Sequence, residues 1–187
     1  AGGSSKPRGS SRKGRAAAVL DRPPQPQGWL TTDGDEIALR RWRGRTEIAS
    51  VDALDPAQPI FGAFQIRSES GNTYEVEIRS LERPTNSCGC IDHRVNGLGT
   101  CKHIEGVLDA LRRRGAIAFR AATEAGSPRV EIFLDRRGAS RPALVWPAED
   151  GGARPVLDWL RPFLTAGREL RTDAGKIAAL LAAWPAA

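Results

Sequence analysis

The chain has 187 residues and a formal net charge of +6, with 40% hydrophobic residues. No run approaches the roughly 18 consecutive apolar residues that a membrane-spanning helix needs, and the apolar run Ala16 to Leu20 is too short for a secretory leader. These features point to a chain of one or two small domains, cytoplasmic or nucleoid-associated, and exclude a helical membrane protein.

The first 28 residues are rich in Gly, Ser, Pro and Arg and end in Pro23-Pro24-Gln25-Pro26, so they read as a disordered, then extended, tail. Within residues 1–22, Lys6, Arg8, Arg12, Lys13, Arg15 and Arg22 stand against Asp21 alone, whereas the remaining 165 residues hold 22 basic and 21 acidic side chains. The basic character therefore belongs to the tail. The chain has no methionine, even at position 1, and stops just after a promising helical pattern. It is expected to be a piece of a longer protein.

In chain order, Asp35 to Arg43 is expected to form a first strand, with Ile37 and Leu39 on one face, and Thr46 to Val51 a second. Asp55 to Pro59 breaks the pattern. Ile60 to Arg67 carries Phe64 and Ile66 in alternation. Thr73 to Arg79 sets Tyr74, Val76 and Ile78 against Glu75, Glu77 and Arg79. With Ser70-Gly71-Asn72 between them, the two segments read as a β-hairpin with one buried face. Cys101 to Arg114 reads as a helix: Ile104, Val107, Leu108 and Leu111 make one apolar stripe, Thr100 is the expected N-cap, and Arg112, Arg113 and Arg114 suit the negative C-terminal end before Gly115. Val130 to Leu134 and Leu144 to Trp146 read as short strands. A final helix capped by Thr172 would carry Ile177, Leu180, Leu181 and Trp184 on one stripe. The fold class expected is α+β: a small antiparallel sheet with a ββα unit formed by the hairpin and the following helix, then a C-terminal helical segment. The expected organisation is a tail (1–28), a β-rich domain (29–125) that contains this unit at about 60–115, and the start of a following region (126–187).

The chemistry concentrates in Cys88-Gly89-Cys90 and Cys101-Lys102-His103, a C-x-C-x10-C-x-H pattern. Three cysteines are an odd number, and Cys88 and Cys90 are too close to bridge without strain, so metal binding is the better reading than a disulfide framework. Three thiolates and an imidazole complete a tetrahedral zinc shell and leave no position for water, which makes the expected site structural. In extended chain the side chains of residues i and i+2 share a side, so Cys88 and Cys90 face one metal, with Gly89 relieving crowding. On a helix i and i+2 diverge, so Cys101 is expected at the helix start and His103 in its first turn. There the free N–H groups and the positive end of the helix dipole suit a net negative metal cage. His93, beside Asp92, fits neither ligand pair. It stands as an alternative to His103, or more simply as an exposed loop residue.

This hairpin, ligand pair, loop, ligand pair and helix resembles the SWIM zinc finger over roughly residues 60–115. The runs SGNTYEVEIRSL and NSCGCIDHRVNGLGTCKHIE are further similar to the amino-terminal region of bacterial Swi/Snf-type helicase-like ATPases. The resemblance implies an accessory region, with DNA as the eventual partner and an ATPase motor domain elsewhere in the same chain. Arg94, Lys102, Arg112, Arg113 and Arg114 lie in or near the finger and are the candidate phosphate contacts. The alternative is a protein-interaction or intramolecular scaffold, anchored by some of Trp29, Trp42, Trp146, Trp159 and Trp184.

No catalytic motif is present, and the chain is not expected to be an enzyme. The closest approach to a phosphate-binding loop, Gly175-Lys176, fails because Leu170 and Ile177 occupy positions that require Gly and Ser or Thr. Glu75 and Glu77 alternate on the polar face of a strand, a solvent-facing pattern.

Overall fold

The computed structural model describes residues 21–23, 30–137, 140–147, 154–166, 169–171 and 173–183. Most of the expected tail, Trp29, Thr172 and Trp184 lie outside these residues. The class is α+β, with a four-stranded antiparallel sheet, a two-stranded sheet and six α-helices among the described residues. None of these helices is long and apolar enough to cross a membrane.

The first element corrects the expectation of a strand at Asp35 to Arg43: the segment lies within a helix, α1, Asp33–Thr46. Local end signals outweigh the alternation of Ile37 and Leu39. Thr32 and Asp35 form a reciprocal capping box, Asp33, Asp35 and Glu36 occupy the first turn, and Arg43 and Arg45 the last.

Four strands follow: β1 (Ile48–Ala53), β2 (Gly62–Ser68), β3 (Thr73–Ile78) and β4 (Ser87–Cys88), hydrogen-bonded in that order. The hairpin of β2 and β3 is as expected, with Phe64 opposite Val76 and Ile66 opposite Tyr74. β4 is only two residues long. It sets Cys88 opposite Val76 and Ser87 opposite Glu77.

A short helix, α2 (Ile91–Val95), interrupts the loop between the two ligand pairs, and the expected long helix, α3, spans Lys102–Arg114. Its N-cap is Cys101 rather than Thr100, whose hydroxyl instead donates to the Glu105 carboxylate at 2.9 Å. Gly115 ends α3, yet a further helix, α4 (Ala116–Ala125), begins at once. The apolar stripe of α3 lies on the sheet. Phe64, Ile66, Val76, Ile78, Ile104 and Val107 form the fully buried centre, with Val51, Phe61 and Leu111 around them. Burying each such side chain contributes about 1.5–3 kcal/mol.

The later part pairs β5 (Glu131–Asp135) with β6 (Arg141–Val145) and adds α5 (Arg154–Leu160) and α6 (Ala174–Ala183). A second core gathers Leu160, Leu164, Leu170 and Leu180, with Trp146 and Trp159 half-buried against it. Two ion pairs connect β5 and the segment before it to β3 and its end: Arg79 with Glu131 at 2.9 Å, and Glu77 with Arg129 at 3.0 Å, which itself pairs with Glu131 at 2.6 Å.

Candidate metal centre

Cys88, Cys90, Cys101 and His103 converge in one buried cluster whose ligand atoms all lie within 4.8 Å of one another. Each side chain arrives by a separate local device. The β3 ladder fixes Cys88 opposite Val76. Cys90 is the extended N-cap of α2, and its sulfur accepts the His93 backbone N–H at 3.4 Å. The Cys90 N–H in turn reaches the Cys88 sulfur at 3.5 Å. Cys101 is the extended N-cap of α3, and its sulfur makes no bond to the helix backbone. His103 follows in the first turn, with Nδ1 3.6 Å from the Cys88 sulfur and 4.0 Å from that of Cys101. The expected placement of the two pairs, one at the sheet end and one at the helix start, is the observed one. Beyond its chain neighbours Cys88 and Cys90, a Cβ on Gly89 would meet nothing within 4 Å.

The electrostatics fit a cage for a cation. The Cys90 thiol is held far below its ordinary value by hydrogen bonds from Cys101 and then Cys88, against burial. Cys101 is pushed up by its bonds to Cys88 and Cys90 and by burial. For Cys88 the contact with Cys101 acts downward, but the bond with Cys90 and burial prevail, and its thiol is pushed up to about 12. Three sulfurs this close share one charge poorly, and a bound cation removes that conflict by stabilising all three thiolates. The residues thus fit one metal ion with three sulfur ligands and one nitrogen ligand.

The loop between the pairs is built with care. Asn96 donates to the Thr100 carbonyl at 2.9 Å and accepts from the Leu98 N–H at 2.8 Å. Gly97 and Gly99 take positive φ. Asp92 receives two bonds from the Arg40 guanidinium, at 2.6 and 3.0 Å, which moor the loop to α1. His93 is not an exposed loop residue. It is buried on α2 and outside the metal-ligating cluster. Burial pushes its imidazole below the ordinary value, against the opposing effects of the Cys90 charge and the backbone oxygens of Asn86 and Cys88.

The five basic candidates do not form one patch. Lys102 and Arg113 stand at opposite ends of α3, roughly 17 Å apart along its axis. Lys102 is bonded to Glu47 at 2.6 Å, Arg113 pairs with Asp109 at 2.7 Å, Arg112 lies 4.8 Å over the Phe119 ring, and Arg114 donates to the Val51 carbonyl. Arg94 is exposed on α2. Three contributors to the site carry no local sequence signal for their roles: Arg40 acts across 52 residues, Tyr74 stacks on His103, and Asn86 accepts the Arg79 and Ser80 backbone N–H groups at 2.7 and 2.9 Å.

Comparisons with protein-family models, with curated protein sequences and with solved structures return no match to this chain.

Proposed function

We propose that this chain is a zinc-stabilised recognition module of the SWIM type, in which one structural zinc is held by Cys88, Cys90, Cys101 and His103. The observation that carries the reading is the buried convergence of three sulfurs and one imidazole nitrogen from two separate chain segments. Zinc bonds of about 2.3 Å to sulfur and 2.0–2.1 Å to nitrogen give a tetrahedral S···N edge of about 3.5–3.6 Å. The Nδ1–sulfur distances of 3.6 and 4.0 Å need only a small contraction to match it. A full complement of four protein ligands suits folding rather than catalysis. The test is the metal content of the purified chain: one zinc per polypeptide is expected, falling to near zero in Cys101→Ala. Absence of stoichiometric metal from the unmodified chain would overturn the reading.

Within this proposal the module is an accessory, nucleic-acid-binding region of a helicase-like DNA translocase, with the ATPase motor elsewhere in the same protein. Support comes from the similarity of residues 60–115 to SWIM fingers and from the exposed arginines Arg94, Arg112 and Arg113. Affinity for a duplex oligonucleotide should then fall steeply as salt rises, because each phosphate contact releases counterions.

A second reading, a docking scaffold for protein, is favoured by one observation. Ile91 and Val95, one turn apart on α2, are each 75% exposed beside the metal cage, while Lys102 is tied to Glu47 within the molecule. A partner bound there would show a weak salt response and sensitivity to Ile91→Ser.

A further inference from the structure

Resting on the zinc reading, we propose that Tyr74 is the positioning residue of the metal-ligating imidazole: its ring, rather than a hydrogen-bond acceptor, holds His103 with Nδ1 turned to the metal. A ligating histidine ordinarily donates its other ring N–H to a carboxylate, carbonyl or water, and that bond fixes both tautomer and ring orientation. No protein acceptor among the described residues gives His103 this bond. Its Nε2 is buried and has no hydrogen-bond partner among the described residues, although the residue as a whole is only 3% exposed. Rotation of an imidazole about its outer torsion is broad and roughly two-fold, so without a restraint a half turn of the ring would put carbon Cδ2 where Nδ1 now faces the sulfurs and take the ligating nitrogen away. Tyr74 supplies the restraint. Its ring stacks on that of His103 with centroids 4.0 Å apart and planes 28° from parallel.

Sheet register delivers Tyr74 to this place. Tyr74 pairs with Ile66, and Val76, two residues on and therefore on the same face, pairs with Cys88. The ring that steadies the nitrogen ligand and the strand position that fixes the first sulfur ligand are thus neighbours on one face of β3. A displaced or missing ring loosens His103 while leaving the three sulfurs in place.

The experiment compares the full chain with Tyr74→Phe, Tyr74→Leu and Tyr74→Ser, using zinc affinity by chelator competition and ¹⁵N spectra of the histidine rings in the zinc-loaded state. Tyr74→Phe keeps the stack and should bind zinc within about twofold of the unmodified chain. Tyr74→Leu keeps apolar bulk in the strand but no ring. It should lose about tenfold or more in affinity, the usual scale for removing a ligand's support. The unmodified chain should show metal on His103 Nδ1 and a proton on Nε2, and Tyr74→Leu a broadened or mixed signal. Tyr74→Ser should repeat the loss if it folds, and Tyr74→Leu decides the matter if it does not. Unchanged affinity and an unchanged ring spectrum in Tyr74→Leu would overturn the role of Tyr74 alone. Zinc on Nε2 in the unmodified chain would overturn the orientation. A chain that carries no zinc would overturn the metal reading as well.

Discussion

Gly44 of α1 and Gly106 of α3 meet backbone to backbone. A Cβ built on Gly44 would lie 2.7 Å from the Gly106 nitrogen and 2.8 Å from the Lys102 carbonyl oxygen, and one on Gly106 would lie 2.7 Å from the Ile48 side chain. Two helices approach this closely only where neither carries a side chain. The crossing presses α1 against the helix that begins at the metal cage. Gly44→Ala is expected to destabilise the chain by about 1–3 kcal/mol, because the atoms it strikes are backbone and cannot rotate away. Gly89→Ala, in open space between two ligands, should lie within about 0.5 kcal/mol of the unmodified chain. Urea unfolding of the zinc-loaded chains compares them, and equal effects at the two glycines would contradict the tight crossing.

Metal removal should be far more damaging than any surface change. Free zinc at about a thousand times its dissociation constant stabilises a folded state by about 4 kcal/mol, and the cluster, whose cysteines belong to the main core, joins β4 at the sheet edge to the start of α3. Chelation is therefore expected to lower the melting temperature and to reduce the far-ultraviolet dichroism, with recovery on adding zinc. A melting curve indifferent to chelator would show that the cage does not hold the fold together.

Arg40 moors the metal loop to α1 through Asp92 and also bonds Glu36 at 2.7 Å. The guanidinium is largely buried, so Arg40→Met removes charge-assisted bonds while keeping much of the bulk. A loss of about 1.5–3 kcal/mol is expected. Asp92→Asn in the Arg40→Met background should add little, since the partner is already gone. Additive losses in the double-mutant cycle would show that the two residues act independently.

The Glu47 carboxyl is lowered from 4.5 to about 2, first by hydrogen bonds from Arg43 and then by those from Lys102, against burial. The folded-state value lies below the unfolded one. Its contribution to stability is thus complete above pH 4.5 and fades as pH falls from 4.5 toward 2. The stability difference between the unmodified chain and Glu47→Gln should be flat from pH 8 to about pH 4.5 and then shrink. Because Glu47 is about one-third exposed, the difference will be modest and will weaken with salt. A difference that grows with acid would reverse the assignment.

The Cys3His cluster was more legible in the sequence than the fold around it. Ligand type and spacing are local properties, and Cys88, Cys90, Cys101 and His103 needed only an extended pair and a helix start to converge. The hairpin was legible for the same reason, because two-residue alternation at Phe64, Ile66, Val76 and Ile78 survives without tertiary context. Asp35 to Arg43 misled because Ile37 and Leu39 mimic a strand, although the Thr32 and Asp35 capping box was there to be read. The burial of His93 and the stacking of Tyr74 depend on partners brought in from other elements, and no window of sequence reports them. The scattering of the basic residues was equally hidden: a tally of charge near a motif does not reveal that Lys102 already has Glu47.

β4 pairs with β3 at Val76–Cys88 and Glu77–Ser87, with one further bond from the Gly89 N–H to the Glu75 carbonyl at 3.3 Å. Two residue pairs are too few to shield the rim of a sheet, and one of them ends in a thiol of the cage. On the zinc reading, a bound ion would clasp this short strand in its seat. Without that ion, β3 would be left as an edge open to a strand from another molecule. The metal-free chain should accordingly fail by self-association as well as by unfolding, and metal supply during synthesis would govern how much of it stays dispersed.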